Sequence, residues 1–146
     1  MADAQDWARR RREAAQEHAD RLARRRAAET ARAREMVHEF ARKAQERGIT
    51  PAPLLARAGE SKPTYRTGLV GWYLARDGSL GVTTDGDYYH LASPRSLNAR
   101  LFGVRLAPAE PPLQVGAGGR DGESVALDVL LAMRLEAGDD WPIHGL

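Results

Sequence analysis

The spacing of apolar and polar residues divides the chain near residue 48. Residues 3–47 contain no Gly or Pro, and most are Ala, Arg, Glu or Gln, which have high helix propensities. Asp3 suits an N-cap position, and Gly48 followed by Pro51 is typical of a helix end. Residues 1–48 are therefore predicted to be an arm built from one helix, and residues 3–47 would span about 65 Å at roughly 1.5 Å per residue.

Large apolar side chains are scarce in this helix. Leaving Ala aside, residues 1–47 hold six of them, whereas the other 99 residues hold 31. Packing cannot stabilise so long a helix along its whole length. We therefore expect its C-terminal end to dock on the rest of the chain and its N-terminal half to project or to bind a partner. The residues predicted to bind the partner are those of the apolar helix face: Trp7, Leu22, Met36, Val37 and Phe40.

The segment 49–67 is predicted to be a linker with a short helical turn that begins at Thr50 and Pro51. Beyond it the pattern changes to alternation, which predicts strands at 69–76, 79–84 and 87–92. Asp-Gly dipeptides at 77–78 and 85–86 favour two-residue type I′ turns between these strands. Such turns would pair Trp72 with Thr83, and Thr83 with Tyr88.

This register sorts the side chains onto two faces of the sheet. The first face would hold Tyr73, Ala75, Leu80, Val82, Tyr89 and Leu91, and the second would hold Val70, Trp72, Leu74, Gly81, Thr83, Tyr88 and His90. Further strands are predicted at 100–106 and 113–115, followed by an apolar helix at 124–137 that covers the first face and a tail at 139–146. The predicted fold class is α+β, with the sheet and its covering helix forming a small domain at 68–138.

Composition excludes several classes of protein. The chain has no Cys, which excludes disulfides and cysteine-based metal or catalytic sites, and it has no apolar run long enough to span a membrane. Its N-terminus lacks the apolar stretch of a signal peptide, so we expect a cytoplasmic protein. The excess of 20 Arg over 2 Lys is typical of GC-rich genomes and favours a bacterial source.

Arginine clusters in the helix provide the main alternative function. Arginines along a helix can neutralise nucleic-acid phosphates or anionic lipid headgroups. Residues 1–47 carry 13 basic and nine acidic groups, and these interspersed acids weaken the positive field. The candidate nucleic-acid contacts are Arg9, Arg10, Arg11, Arg12, Arg24, Arg25 and Arg26.

The second sheet face and one loop are the remaining candidates for binding. Trp72, Tyr88 and His90 would form an aromatic platform, unless the long helix covers them with Met36, Val37 and Phe40. The glycine-rich loop 116–120 resembles a phosphate cradle in its setting but matches no standard fingerprint. The four histidines lack metal-site spacing, and no catalytic triad motif is present. We therefore predict neither a cofactor nor a metal ion.

These patterns together predict a non-enzymatic protein that associates through its long N-terminal helix with a partner or with itself. A nucleic-acid-binding accessory protein is the first alternative. A ligand-binding or enzymatic α+β domain, centred on His90 and the loop 116–120, is the second.

Overall fold

The computed structural model describes residues 2–59, 63–116 and 123–143. The chain is of the α+β class, with a long N-terminal helix, a four-stranded antiparallel sheet and a C-terminal helix, as predicted. The helices are α1 (Ala2–Glu46), α2 (Leu97–Phe102) and α3 (Leu127–Ala137), and a short 3-10 helix follows at Gly138–Asp140. The strands are β1 (Ala52–Arg57), β2 (Thr64–Tyr73), β3 (Leu80–Thr83), β4 (Tyr88–His90), β5 (Gln114–Val115) and β6 (Val125–Ala126).

The end of α1 is fixed by the backbone geometry that its sequence predicts. Gly48 has a φ of 68°, a conformation that glycine adopts without a steric penalty. The amide of Ile49 donates to the carbonyl of Ala44 at 3.0 Å, and the amide of Gly48 donates to Gln45 at 3.1 Å. These two bonds form a Schellman motif, which satisfies carbonyls that the helix end would leave unpaired.

The main sheet is a meander in the order β1-β2-β3-β4. A parallel bridge between Arg57 and Ala92 joins the end of β1 to the chain just beyond β4. The amide of Arg57 donates to the carbonyl of Leu91 at 3.1 Å, and the carbonyl of Arg57 accepts from the amide of Ser93 at 2.9 Å. The sheet therefore curls back on itself, while β5 and β6 form a separate two-stranded ladder.

Both predicted strand registers are wrong by one residue. Trp72 pairs with Val82, and Val82 pairs with Tyr88, where the two-residue turns would have placed Thr83. Among the described residues positive φ occurs only at glycines, so neither Asp77 nor Asp85 takes the conformation that a type I′ turn requires at its first position. Both loops are consequently longer than two residues.

Two predicted elements are also corrected. The segment 52–57 is a strand, not part of a linker with a helical turn. Within the predicted strand at 100–106, residues 100–102 belong to α2, and residues 103–112 are irregular. The predicted strand at 113–115 corresponds to β5, and the predicted helix at 124–137 begins later, at Leu127, and is followed by Gly138 as predicted.

Among the described residues, the buried apolar side chains form two clusters on opposite faces of the sheet. The larger cluster joins α1 and α3 to one face through Trp72, Leu80, Val82 and Tyr88. The smaller cluster fills the other face with Leu54, Tyr73, Tyr89 and Leu91. Both helices therefore pack on the same face, which corrects the expectation that α3 covers the face of Tyr73 and Tyr89. The one-residue shift in register moves Leu80 and Val82 to the face of Trp72.

Candidate interaction surfaces

The C-terminal four turns of α1 anchor the helix on the body. Val37 is 1% exposed and Phe40 is 2% exposed, and Met36 is half-buried beside them. The rings of Phe40 and Trp72 pack edge to face with their centroids 5.9 Å apart. Three of the five residues predicted to bind a partner are therefore packed within the chain's own fold, which corrects that prediction for Met36, Val37 and Phe40. Small buried residues complete this contact: Ala33, Ala41 and Ala44.

Polar contacts from the sheet and its following loop hold the same part of α1. The Gln45 side-chain amide donates to the carbonyl of Thr84 at 3.0 Å, in the turn between β3 and β4. A Cβ added to Gly86 in this turn would lie 2.7 Å from Cδ2 of His38, so the turn and the helix are in close contact. Arg34 forms an ion pair with Glu110.

Two of the three predicted aromatic surface residues are buried beneath α1. Trp72 is 1% exposed and Tyr88 is 2% exposed, and the indole Nε1 of Trp72 donates to the carbonyl of Ile49 at 3.0 Å. Burial raises the pKa of Tyr88 to about 12. His90 is exposed, and its ring contacts Tyr88 edge-on at 5.6 Å. This face therefore offers no aromatic platform. It is covered by α1, which is the alternative that the sequence analysis gave.

The rest of α1 is a projecting arm, defined here as residues 3–32. Of these residues, all except Asp6 and Thr30 are exposed. Trp7 is 60% exposed and Leu22 is 37% exposed, so these two predicted contact residues remain accessible. Thirty helical residues extend about 45 Å at roughly 1.5 Å per residue.

The candidate arginines all lie on the projecting arm and are exposed. Arg9 donates to Asp6 at 3.0 Å, and the guanidinium of Arg11 lies 4.6 Å above the ring of Trp7. Two arginines of the first cluster, Arg9 and Arg11, therefore have partners within the arm. The second cluster is Arg24, Arg25 and Arg26.

An exposed apolar face on α2 was not predicted. Leu97, Leu101 and Phe102 are 79%, 67% and 78% exposed, while Ala99 is buried against the body. This helix was missed because residues 100–106 were predicted to be a strand. Ser96, a residue type that favours the N-cap position, precedes it. The Ser96 hydroxyl accepts from the amide of Ala99 at 3.2 Å, which is the N-cap bond that a serine at this position favours.

The described residues give no geometric support for a metal site, and they include only part of the glycine-rich loop. No group of three or more His, Asp or Glu side chains in the described parts of the chain is placed to hold a metal ion. Of the glycine-rich loop only Gly116 lies within the described residues, and 117–120 lie outside them, as does His144. None of the helices described is long and apolar enough to cross a membrane.

Comparison of the chain with protein families, with curated proteins and with solved structures finds no match.

Proposed function

We propose that this chain is a non-enzymatic association protein whose body presents a helix for pairing with a second copy of the chain. The observation that carries the proposal is the exposure of the projecting arm, whose 30 residues include only two that are half-buried. The remainder of α1 is anchored in the core through Val37 and Phe40. A helix that buries so little within its own fold has a whole surface available for pairing.

Four charged residues on the projecting arm alternate in sign along one side of the helix. Asp3, Arg10, Glu17 and Arg24 follow one another at intervals of seven residues, which places them on one side of the helix. Asp6 lies one turn before Arg10 on the same side, and Arg21 lies one turn after Glu17. We call these six residues the charge stripe, which is bordered by two further acids, Glu13 and Asp20, one turn before Glu17 and Arg24.

The charge stripe is complementary to itself when two arms run in opposite directions. An antiparallel pair can place Asp3 opposite Arg24, Asp6 opposite Arg21, and Arg10 opposite Glu17. Two-fold symmetry then repeats each attractive pair. A parallel pair in register would place like charges opposite each other. The pattern therefore favours the antiparallel arrangement, with Ala14 close to the two-fold axis.

The same charges argue against nucleic acid as the primary partner. The projecting arm carries nine arginines and six carboxylates, so its positive field is diluted along its length. A phosphate-binding helix gains affinity from cations that face the phosphates without competing acids.

The proposal predicts a weak, salt-sensitive dimer. Exposed ion pairs each contribute at most about 1 kcal/mol and are screened by salt. In light scattering at low salt, the mass of the full chain should rise with concentration from 16.0 kDa towards twice that value. Addition of about 0.5 M NaCl should return it to that of the monomer.

Charge-reversal variants test the arrangement. Arg10→Glu places a carboxylate opposite Glu17 and should abolish the dimer, and the exchange Arg10→Glu with Glu17→Arg should restore it. Arg12→Glu is the control, because Arg12 lies away from the charge stripe. A chain that is monomeric at low salt, or a dimer that Arg10→Glu leaves intact, would refute the proposal. A monomer retained on DNA until Arg24, Arg25 and Arg26 are replaced by Gln would favour nucleic-acid binding instead.

A further inference from the structure

The outward face of α2 is a protrusion built from large apolar side chains. Leu97 and Leu101 are one helical turn apart, Phe102 is next to Leu101, and each is at least two-thirds exposed. Single exposed apolar residues are common on protein surfaces, but a contiguous group of this kind marks a binding surface.

Hydrogen bonds hold α2 firmly against β2, so this exposure belongs to an ordered element. The amide of Val104 donates to the carbonyl of Arg66 at 2.8 Å, and the guanidinium of Arg66 donates to the carbonyl of Leu101 at 3.3 Å. At the other end of α2, the amide of Ser96 donates to the hydroxyl of Tyr65 at 3.1 Å. The apolar side chains therefore face outward while the backbone beneath them is fixed.

The surroundings of the protrusion are basic. Residues 88–109 include Arg95, Arg100 and Arg105 but no Asp or Glu. A hollow of about 760 Å³ on one side of α2 is lined in part by Arg95 and Arg100. A second hollow, of about 470 Å³, is lined in part by Arg66 and Arg105 beside Phe102. Among the described residues, neither lining contains a carboxylate.

The geometry points to peripheral binding of an anionic lipid bilayer, with Leu97, Leu101 and Phe102 inserted among the lipids and the flanking arginines against the headgroups. Interfacial helices combine an apolar face with basic residues at the headgroup level in this manner. Basic residues near an anionic leaflet strengthen such binding. This inference is independent of the projecting arm and of the proposed dimer.

The shape of the surface favours a bilayer over a protein partner. Peptides and small ligands are bound by apolar groups that line a groove or cleft, whereas the apolar side chains of α2 are each at least two-thirds exposed to solvent. Three large apolar side chains also provide little of the roughly 800 Å² per partner that a standard protein interface buries. A bilayer needs no matching pocket, and it accommodates protruding side chains directly.

A fluorescent label tests insertion at this position in the full chain. Because the sequence has no Cys, Asn98→Cys on the outer face of α2 can be labelled selectively with an environment-sensitive dye. Vesicles of equal parts phosphatidylglycerol and phosphatidylcholine should shift its emission to the blue, and vesicles of phosphatidylcholine alone should shift it less. The same label at Val129→Cys, an exposed position on α3, should not respond.

Variants separate insertion at α2 from attraction of vesicles by the arginines of the projecting arm. Leu101→Ser with Phe102→Ser should weaken co-sedimentation with the anionic vesicles by about tenfold or more, because it removes apolar side chains that the bilayer would bury. Val129→Ser is the matched control and should leave binding unchanged. Equal melting temperatures for the variants and the wild type would show that folding is retained.

Three results would overturn the inference. One is a label at Asn98→Cys that does not respond to anionic vesicles, and another is vesicle binding that Leu101→Ser with Phe102→Ser leaves intact. The third is a dimer in light scattering that the same double variant abolishes, because it would show that a second copy occupies this face.

Discussion

Gly71 lies where β2 and β3 approach each other too closely for any side chain. A Cβ at this position would be 2.0 Å from the carbonyl oxygen of Val82 and 2.6 Å from the Cα of Thr83. Gly71→Ala should therefore disrupt the pairing of these strands and lower the free energy of unfolding by about 3 kcal/mol.

Urea-induced unfolding provides the measurement, with Gly116→Ala as its control. A Cβ at Gly116 would have no atom of the described part of the chain within 4 Å apart from its chain neighbours, so this variant should change stability by no more than about 0.5 kcal/mol. Equal stabilities for the two variants would show that β2 and β3 do not pack as closely as described.

Tyr88 links stability to alkaline pH. Its pKa is raised to about 12 because burial disfavours the phenolate. The folded protein therefore holds this proton more tightly than the unfolded chain, in which tyrosine has a pKa near 10. The resulting stabilisation is complete below pH 10 and is lost as the pH rises through about 12. Burial also raises the pKa of Tyr73 and that of Tyr89, so the three residues act in the same direction.

The free energy of unfolding should fall by about 2 kcal/mol between neutral pH and the upper end of this range. The decrease should be smaller in Tyr88→Phe, which has no phenolic proton to lose. Chemical denaturation at a series of pH values measures both profiles. Identical pH dependence in the wild type and the variant would contradict the burial of this hydroxyl.

At the scale of elements, Arg134 ties α3 to the sheet. It is only 6% exposed, and its Nε donates to the carbonyl of Tyr73 at 2.7 Å while its Nη1 donates to that of Gly138 at 2.5 Å. Burial lowers its pKa. Arg134→Met would retain most of the side-chain volume but leave two carbonyl groups without these donors.

This substitution should lower the free energy of unfolding by about 2–4 kcal/mol, because each lost charged hydrogen bond contributes roughly 1.5–3 kcal/mol and such contributions are not fully additive. Arg32→Met, on the exposed side of α1, provides a control and should be nearly neutral. Thermal melts of both variants make the comparison. If Arg134→Met is as stable as the wild type, Arg134 does not stabilise the packing of α3 on the sheet.

Elements with a strong local signal were predictable from sequence. The absence of Gly and Pro from residues 3–47 determined α1, and Gly48 marked its end. β1 was missed because Thr50 followed by Pro51 also suits the start of a helical turn. The structure accommodates Pro53 on an edge strand beside an irregularity in the register. The amide of Leu55 is satisfied there by the hydroxyl of Tyr73 at 2.8 Å, a tertiary contact that spacing along the chain does not reveal.

The predicted strand registers were wrong because an Asp-Gly dipeptide occurs in hairpin loops of more than one length. Gly86 takes a φ of 89°, and the amide of Thr83 donates to the carbonyl of Asp87 at 2.9 Å. This is a three-residue loop with glycine in the left-handed conformation, and it shifts every later residue by one position. The loop between β2 and β3 is also longer than two residues, with the amide of Leu74 donating to the carbonyl of Leu80 at 2.9 Å, and its shift determined which side chains α1 and α3 cover.

For the molecule as a whole, the sequence predicted a helix that docks at one end and leaves the other end accessible. The burial of Val37 and Phe40 confirms that the C-terminal end of α1 docks on the body. The exposure of Trp7 and Leu22 agrees with an N-terminal half that projects. The face of α2 was not predictable, because its exposure depends on how β2 holds Ser96 and Val104. The partner of the projecting arm stays a proposal, which the charge stripe favours.

Cross-linking of single cysteines tests the antiparallel dimer most directly, since the native chain has none. In an antiparallel pair the two copies of Ala14 lie near the two-fold axis, whereas those of Ala28 lie far apart. Under mild oxidation at low salt, the full chain with Ala14→Cys should form covalent dimers, and the chain with Ala28→Cys should not. Cross-linking of both variants would indicate parallel helices, and cross-linking of neither would contradict pairing through the projecting arm.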